Sequence, residues 1–465
     1  MCLRLASKLL TWRRPRKLRG VLPSIGRILH NMGLSIRVTL SYRAVPLWRS
    51  FAVVQTAERP SGKKRPQLAA IVTEYRKYSH AEHIIDRFLW GYGWNNRHHH
   101  PQMDVVSMYV DQTPERDLSP DRAAQFRSLK IYPSIAEALT LGGEKLAVDG
   151  VIIIGEHGEY PKNEKGQKLY PRYEFFQEVV KVFRDSGRSV PVFNDKHLSW
   201  NFEWAKEMVD ISKELDFAFI AGSSLPVVPR IPSLEIPRTA EVEEVVTVGI
   251  GGIDSYDIHA LEGMQSMIER RRGGETGVAA IQAFRGDEVW ELFDRGSWEE
   301  GGFDLQLFES CLCRSHTLQQ ARQGVFNHAY PTREEMKVLA ASDGSDVVAY
   351  RIEYKDGLKA TMFLMEGLVL DMTVAARVKG RRNPLSVYFH VAPRELCNFF
   401  SPLCNVMERM FLTEKPTYPI ERNLLTTGLS GAGVESLFQG GRRLETPHLA
   451  IAYQPTQEST FRRFE

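Results

Sequence analysis

Apolar and polar positions along this chain alternate in two registers. Short, wholly apolar runs are separated by longer stretches whose apolar residues recur every three or four positions. The first kind reads as strands buried on both faces, the second as amphipathic helices. Gln67–Thr73, Asp104–Val110 and Asp149–Ile154 are strands by this pattern. His80–Trp90, with Ile84, Ile85, Phe88 and Leu89, is a helix, and so is Tyr173–Ser186, with Phe176, Val179, Val180 and Phe183. The stretch from Val190 to Ser223 repeats the unit once more. Strand Val190–Phe193 ends at Asn194-Asp195-Lys196; a helix carries Phe202, Ala205, Met208, Val209 and Leu215; strand Phe217–Ala221 follows. Strand and helix alternating in this way predict a doubly wound parallel sheet, Rossmann-like, with right-handed crossovers.

Beyond Leu225 the rhythm changes. Prolines 226, 229, 232 and 237 mark a connection. Val242–Ile250, Val278–Phe284, Val347–Tyr354, Lys359–Leu364, Val369–Ala376 and Ser386–His390 then read as strands, several joined by turn sequences. Helices are expected at Ala260–Arg271, Leu396–Leu412 and Glu421–Gln439. The second domain is therefore α/β with a largely antiparallel open sheet. The expected organisation is a basic appendage over 1–65, a nucleotide-binding-type domain over 66–222, a second domain over 223–455 and a tail over 456–465.

Charge changes the picture at one place. Of 60 Lys and Arg, 15 fall in residues 1–65, against one of the 57 acids, Glu58. That segment reads as a targeting presequence, a basic tail, or residues ahead of the true start; cytoplasmic and exported locations both stay open. The body is net acidic, which argues against nucleic-acid binding by the folded part. No run of eighteen apolar residues marks a membrane span. Five cysteines make no disulfide framework.

Lys196 falls at the carboxyl end of a strand, where open α/β sheets bind ligands. Its plain alternative is a solvated strand end. Glu156, His157 and Glu159 crowd the end of the preceding strand, a set suited to hydroxyl recognition; one short segment does not make a metal site, and none is assigned. The run His98-His99-His100 reads as a solvated loop.

Several segments resemble the family of glucose-fructose oxidoreductases and inositol dehydrogenases, over about residues 66–455. They are Tyr109-Val110-Asp111, Ile131-Tyr132-Pro133-Ser134, Asp149–Ile154, Asn194-Asp195-Lys196-His197-Leu198 and Tyr256-Asp257-Ile258-His259. The resemblance implies an oxidoreductase acting on a carbohydrate or polyol with NAD or NADP, and a possible homo-oligomer through the second sheet. It implies Lys196, His259 and neighbouring Asp257 as the catalytic set. Cofactor contacts would be Thr73, Tyr75 and Ser79 of the first turn, Asp111 as the ribose acid, and Glu156 with His157. The chain departs from the family at that first turn: Thr73-Glu74-Tyr75-Arg76-Lys77-Tyr78-Ser79-His80 holds no glycine, where glycines let a pyrophosphate approach the backbone. Dinucleotide binding is then atypical or lost. The alternative is a non-redox derivative, either a sugar-binding protein or a metal-assisted lyase or hydrolase.

Overall fold

Strand β1 (Gln67–Glu74) leads through α1 (His80–Trp90) and a hairpin, β2 (Tyr92–Trp94) and β3 (Arg97–His99), to β4 (Asp104–Gln112). There follow α2 (Ser119–Gln125), β5 (Lys130–Ile131), α3 (Ile135–Thr140), β6 (Gly150–Ile154), α4 (Arg172–Ser186), β7 (Val192–Asp195), α5 (Phe202–Glu214) and β8 (Phe219–Gly222). The structure is a computed structural model that describes residues 65–463 other than 321–329, 343, 345 and 392–396. The basic segment before residue 65, and the start expected for the helix at 396, lie outside the described residues. Lys64–Glu465 form one unit.

The first sheet is parallel throughout, in the order β5-β4-β1-β6-β7-β8. Its growth reverses between β1 and β6, the switch point where such sheets open a crevice. Alternation of side chains sends Leu68, Ala70 and Val72 into one apolar core, and Ala69 and Ile71 into the other. Both faces are thus covered, as the unbroken apolar runs require.

The second sheet comes from β9 (Arg230–Ile231), β10 (Val242–Gly249), β11 (Val278–Arg285), β12 (Val348–Tyr354), β13 (Lys359–Leu364), β14 (Met372–Val378), β15 (Leu385–Phe389) and β16 (Leu444–Glu445). Their order is β16-β11-β12-β13-β10-β14-β15-β9, antiparallel except for the parallel pair β10–β13. Helix α6 (Asp257–Ile268) and the late helix α11 (Ile420–Phe438) pack on one face. On the other, α7 (Asp287–Leu292), α8 (Leu305–Arg314) and the segment between them lay Phe293, Phe303 and Phe308 against Phe363. The second sheet is therefore covered by helices on both faces. A short α9 (Arg333–Ala340) follows α8, opened by a capping box of Thr332 and Glu335.

Helix α10 (Phe400–Thr413) does not stay with the second sheet. Its Phe400, Leu403, Cys404 and Met407 join the core under α1. The histidine run is only partly a solvated loop: His98 and His99 lie in β3 of the hairpin, His98 and His100 are exposed, and His99 Nε2 lies 2.7 Å from Glu408 on α10. Among the described residues no helix is long and apolar enough to cross a membrane.

Helix α11 is buried on nearly every side and reaches both sheets. Gly433 makes this possible: a Cβ there would stand 2.3 Å from the Tyr350 ring. Tyr350 cannot swing away freely, because its hydroxyl donates to Asp257 at 3.2 Å. Gly433→Ala should therefore cost about 2–3 kcal/mol through overpacking, more than the ~1 kcal/mol alanine gains in a helix. An unchanged denaturation midpoint would contradict this packing.

Candidate functional site

The carboxyl ends of β1, β6 and β7 converge beside the start of α6. Glu156 stands at their centre. Its carboxylate accepts from Arg172 Nη2 at 2.7 Å and lies 3.1 Å from Lys196 Nζ. Arg172, the first residue of α4, is fully buried, and bare backbone at Gly155 makes room for it: a Cβ there would be 2.5 Å from Arg172 Cγ. Arg172 Nη1 also donates to His197 Nε2 at 3.0 Å. Burial alone would raise the Glu156 carboxyl. Lys196 and Arg172 overcome it and hold the group well below the usual carboxylate range.

Lys196 is 5% exposed and takes a left-handed backbone, φ +62°. His157, Tyr78 and Asp254 share that uncommon conformation around the same crevice. Lys196 Nζ donates to Ser255 O at 3.0 Å and lies 5.9 Å from the centre of the Tyr256 ring. The His259 ring is 5.7 Å from the same tyrosine. The structure thus brings Lys196, from the tip of β7, and His259, from helix α6, to one place. Burial, then Lys196 and His80, press His259 well below its ordinary value, so it is neutral at pH 7.

Three histidines ring the pair. His80 Nδ1 donates to Asp195 Oδ2 at 2.7 Å. Arg76 Nη2 donates to His157 Nδ1 at 3.2 Å. His197 is held by Arg172. Among the described residues no three His, Cys, Asp or Glu side chains are placed to hold a metal ion.

Other expected site residues sit differently. Asp257 is fully buried and turned into the second core, where it accepts from Ser430 Oγ at 2.8 Å and from Tyr350. Tyr75 points inward too, its hydroxyl donating to Asp86 at 2.5 Å. Ser79 caps α1, its Oγ accepting from Glu82 N at 3.2 Å. Thr73 is a strut, donating to Glu156 O at 2.6 Å. Asp111 is exposed at the end of β4 and accepts from Tyr160 at 2.6 Å and Tyr109 at 2.9 Å.

Sequence reasoning passed over Arg172 and His80. Arg172 did carry a signal: a cation opening a helix opposes the macrodipole and needs a reason to be there. In this structure the reason is Glu156.

A nicotinamide dinucleotide does not fit the first turn as folded. Without glycine, Tyr78 takes φ +63°. The amide of Tyr78 is bonded by the Glu82 carboxylate, and those of Arg76 and Glu82 by Ser79 Oγ. Buried Glu74, paired with Arg76 at 2.6 Å, takes up the cation of the turn that would otherwise meet a pyrophosphate.

The buried histidines predict acid sensitivity. Burial, chiefly, holds His157 down to about 3 and His83 to about 4, against an ordinary 6.5. The unfolded chain takes up those protons as pH falls below 6.5; the folded chain does not, so stability declines from pH 6.5 toward 4. The depressed Glu156 carboxyl acts in the same direction lower down, its contribution complete above its ordinary 4.5. Melting temperature should fall across this range, less steeply in His157→Asn; a flat profile would refute the assignment.

No protein-family model matches the chain, and no curated protein does. Solved structures do. GenD2 from gentamicin A biosynthesis, in complex with NAD, is 14% identical and has a TM-score of 0.50, covering 84% of this chain and 99% of its own. The myo-inositol 2-dehydrogenase of Lactobacillus plantarum is 9% identical with a TM-score of 0.47, covering 82% and 99%. A super-repressor mutant of Gal80p from Saccharomyces cerevisiae is 8% identical with a TM-score of 0.47, covering 83% and 100%. At this identity the likeness to GenD2 is one of fold: a Rossmann-like parallel sheet followed by a second, largely antiparallel sheet.

Proposed function

We propose that the crevice at the ends of β1, β6 and β7 binds a carbohydrate or polyol, and that this oxidoreductase-like protein carries out proton transfer at a ligand hydroxyl. The observation that carries the reading is a cluster of buried polar atoms around Lys196. His157 Nε2, His197 Nδ1, His259 Nδ1, Asp195 Oδ1, Asn194 Oδ1 and Arg172 Nε are buried without a hydrogen-bond partner among the described residues. Buried polar atoms are ordinarily satisfied. Donors and acceptors are mixed here, and a hydroxyl, donor and acceptor at once, suits such a mixture. Tyr256, 42% exposed, offers a ring face beside them.

In this reading Lys196 donates to a ligand oxygen and stabilises negative charge developing on it. Neutral His259 accepts the hydroxyl proton. Glu156 and Arg172 orient the lysine and touch no reacting atom. Asp257, bonded to Tyr350 and Ser430, supports α6 from behind. GenD2 carries NAD on this fold, but the self-capped first turn here speaks against that cofactor and hence against hydride transfer.

Calorimetric titration of the full chain with a panel of inositols and aldoses tests the proposal. At least one should saturate, and Lys196→Ala should weaken it at least tenfold, about 1.4 kcal/mol. Asp257→Asn should leave affinity within about twofold, since the group faces the second core, toward Tyr350 and Ser430. Absence of binding by every polyol tried would sink the reading.

A further inference from the structure

In an open parallel sheet three features hold a dinucleotide. The amino terminus of the helix after the first strand takes the pyrophosphate. An acid after the second strand takes a ribose hydroxyl, and the space between lies at the switch point. In this chain each is engaged by the chain itself. At the start of α1, the Glu82 carboxylate accepts from Tyr78 N. Ser79 Oγ accepts from Arg76 N and Glu82 N, both at 3.2 Å. Asp111, the ribose-type acid, already accepts from the Tyr160 and Tyr109 hydroxyls.

The space between is crossed as well. β1 lies between β4 and β6, so a segment that leaves β6 and bonds to the end of β4 must pass over the end of β1. Residues 155–161 do this. Glu156 O accepts from Thr73 on β1, and His157 from Arg76 just past it. Glu159 N donates to Gln112 Oε1 at 2.8 Å, and Gln112 Nε2 donates back to Glu159 O at 3.0 Å. Gly158, at φ +92°, lets the crossing lie close: a Cβ there would be 2.8 Å from the Tyr160 ring. Lys168 Nζ fastens the segment from behind, donating to Gly158 O at 2.8 Å. Arg76, a cation of the turn, is committed to Glu74 and His157.

We infer that the nucleotide crevice of this fold is filled from within: the Glu82 carboxylate stands in for the pyrophosphate, the Tyr160 hydroxyl for the ribose, and residues 155–161 occupy the space between. The crevice then has no place for a dinucleotide. This goes beyond the polyol reading and does not depend on it.

The test uses the full chain and two readouts. Calorimetry with NAD, NADH, NADP and NADPH should give no saturable heat up to about 1 mM; micromolar binding of any one would overturn the inference. Hydrogen exchange then reads the crossing segment directly. Tyr160→Phe should speed exchange of amides 156–160 roughly tenfold, the measure of one hydrogen bond to a charged group. Exchange no faster than in the unaltered chain would overturn the role given to Tyr160. Failure of every polyol to bind would remove the earlier reading and leave this one standing.

Discussion

A buried carboxylate between two buried cations organises this molecule's crevice. Glu156 holds Lys196 on one side and Arg172 on the other, and neither cation reaches bulk water. Such a triad is not a strong source of stability, because desolvation offsets most of the attraction. Its effect is positional. Removing one partner would strand charge in the interior at a cost of about 3–5 kcal/mol, so the three must stay together. Lys196 is then fixed against Ser255 and Tyr256, and Arg172 against His197.

The same lysine is gripped from the far side. Asn423 on α11 donates to Lys196 O at 3.3 Å and to Glu262 on α6 at 2.6 Å. Glu262 in turn accepts from Ser223 N, just past β8. A single buried amide thus links the tip of β7, the end of β8 and the helix that presents His259. The distance between the two proposed catalytic groups is set by these bonds, not by a flexible joint.

Much of this was legible in the sequence. Strands buried on both faces declare themselves as apolar runs, so the first sheet and the end of β7 at Asp195 were readable, as was the change to an antiparallel sheet after Leu225. Lys196 was readable because strand ends are few. Asp257 illustrates the limit. It is two residues from His259, about 200° around a helix, so the two cannot face the same way; one had to enter the core. Arg172 and His80 were hidden for another reason. Their partners lie 16 and 115 residues away in the chain, and nothing local announces pairings of that kind. The α9 capping box, Thr332 to Glu335, was a local signal simply passed over.

The late helices have a consequence for how the chain reaches this state. The core beneath α1 contains Phe400, Leu403, Met407, Met410 and Tyr418, and the opposite core contains Ile420 and Leu424. A ribosome that has made the six parallel strands has therefore not finished the layers that cover them. Until the last stretch emerges, both faces of the nascent sheet keep apolar surface in water. The protein has two main sheets in its architecture but is not modular in its assembly. A cut at residue 222 would yield an unfinished sheet prone to aggregation rather than a free-standing domain.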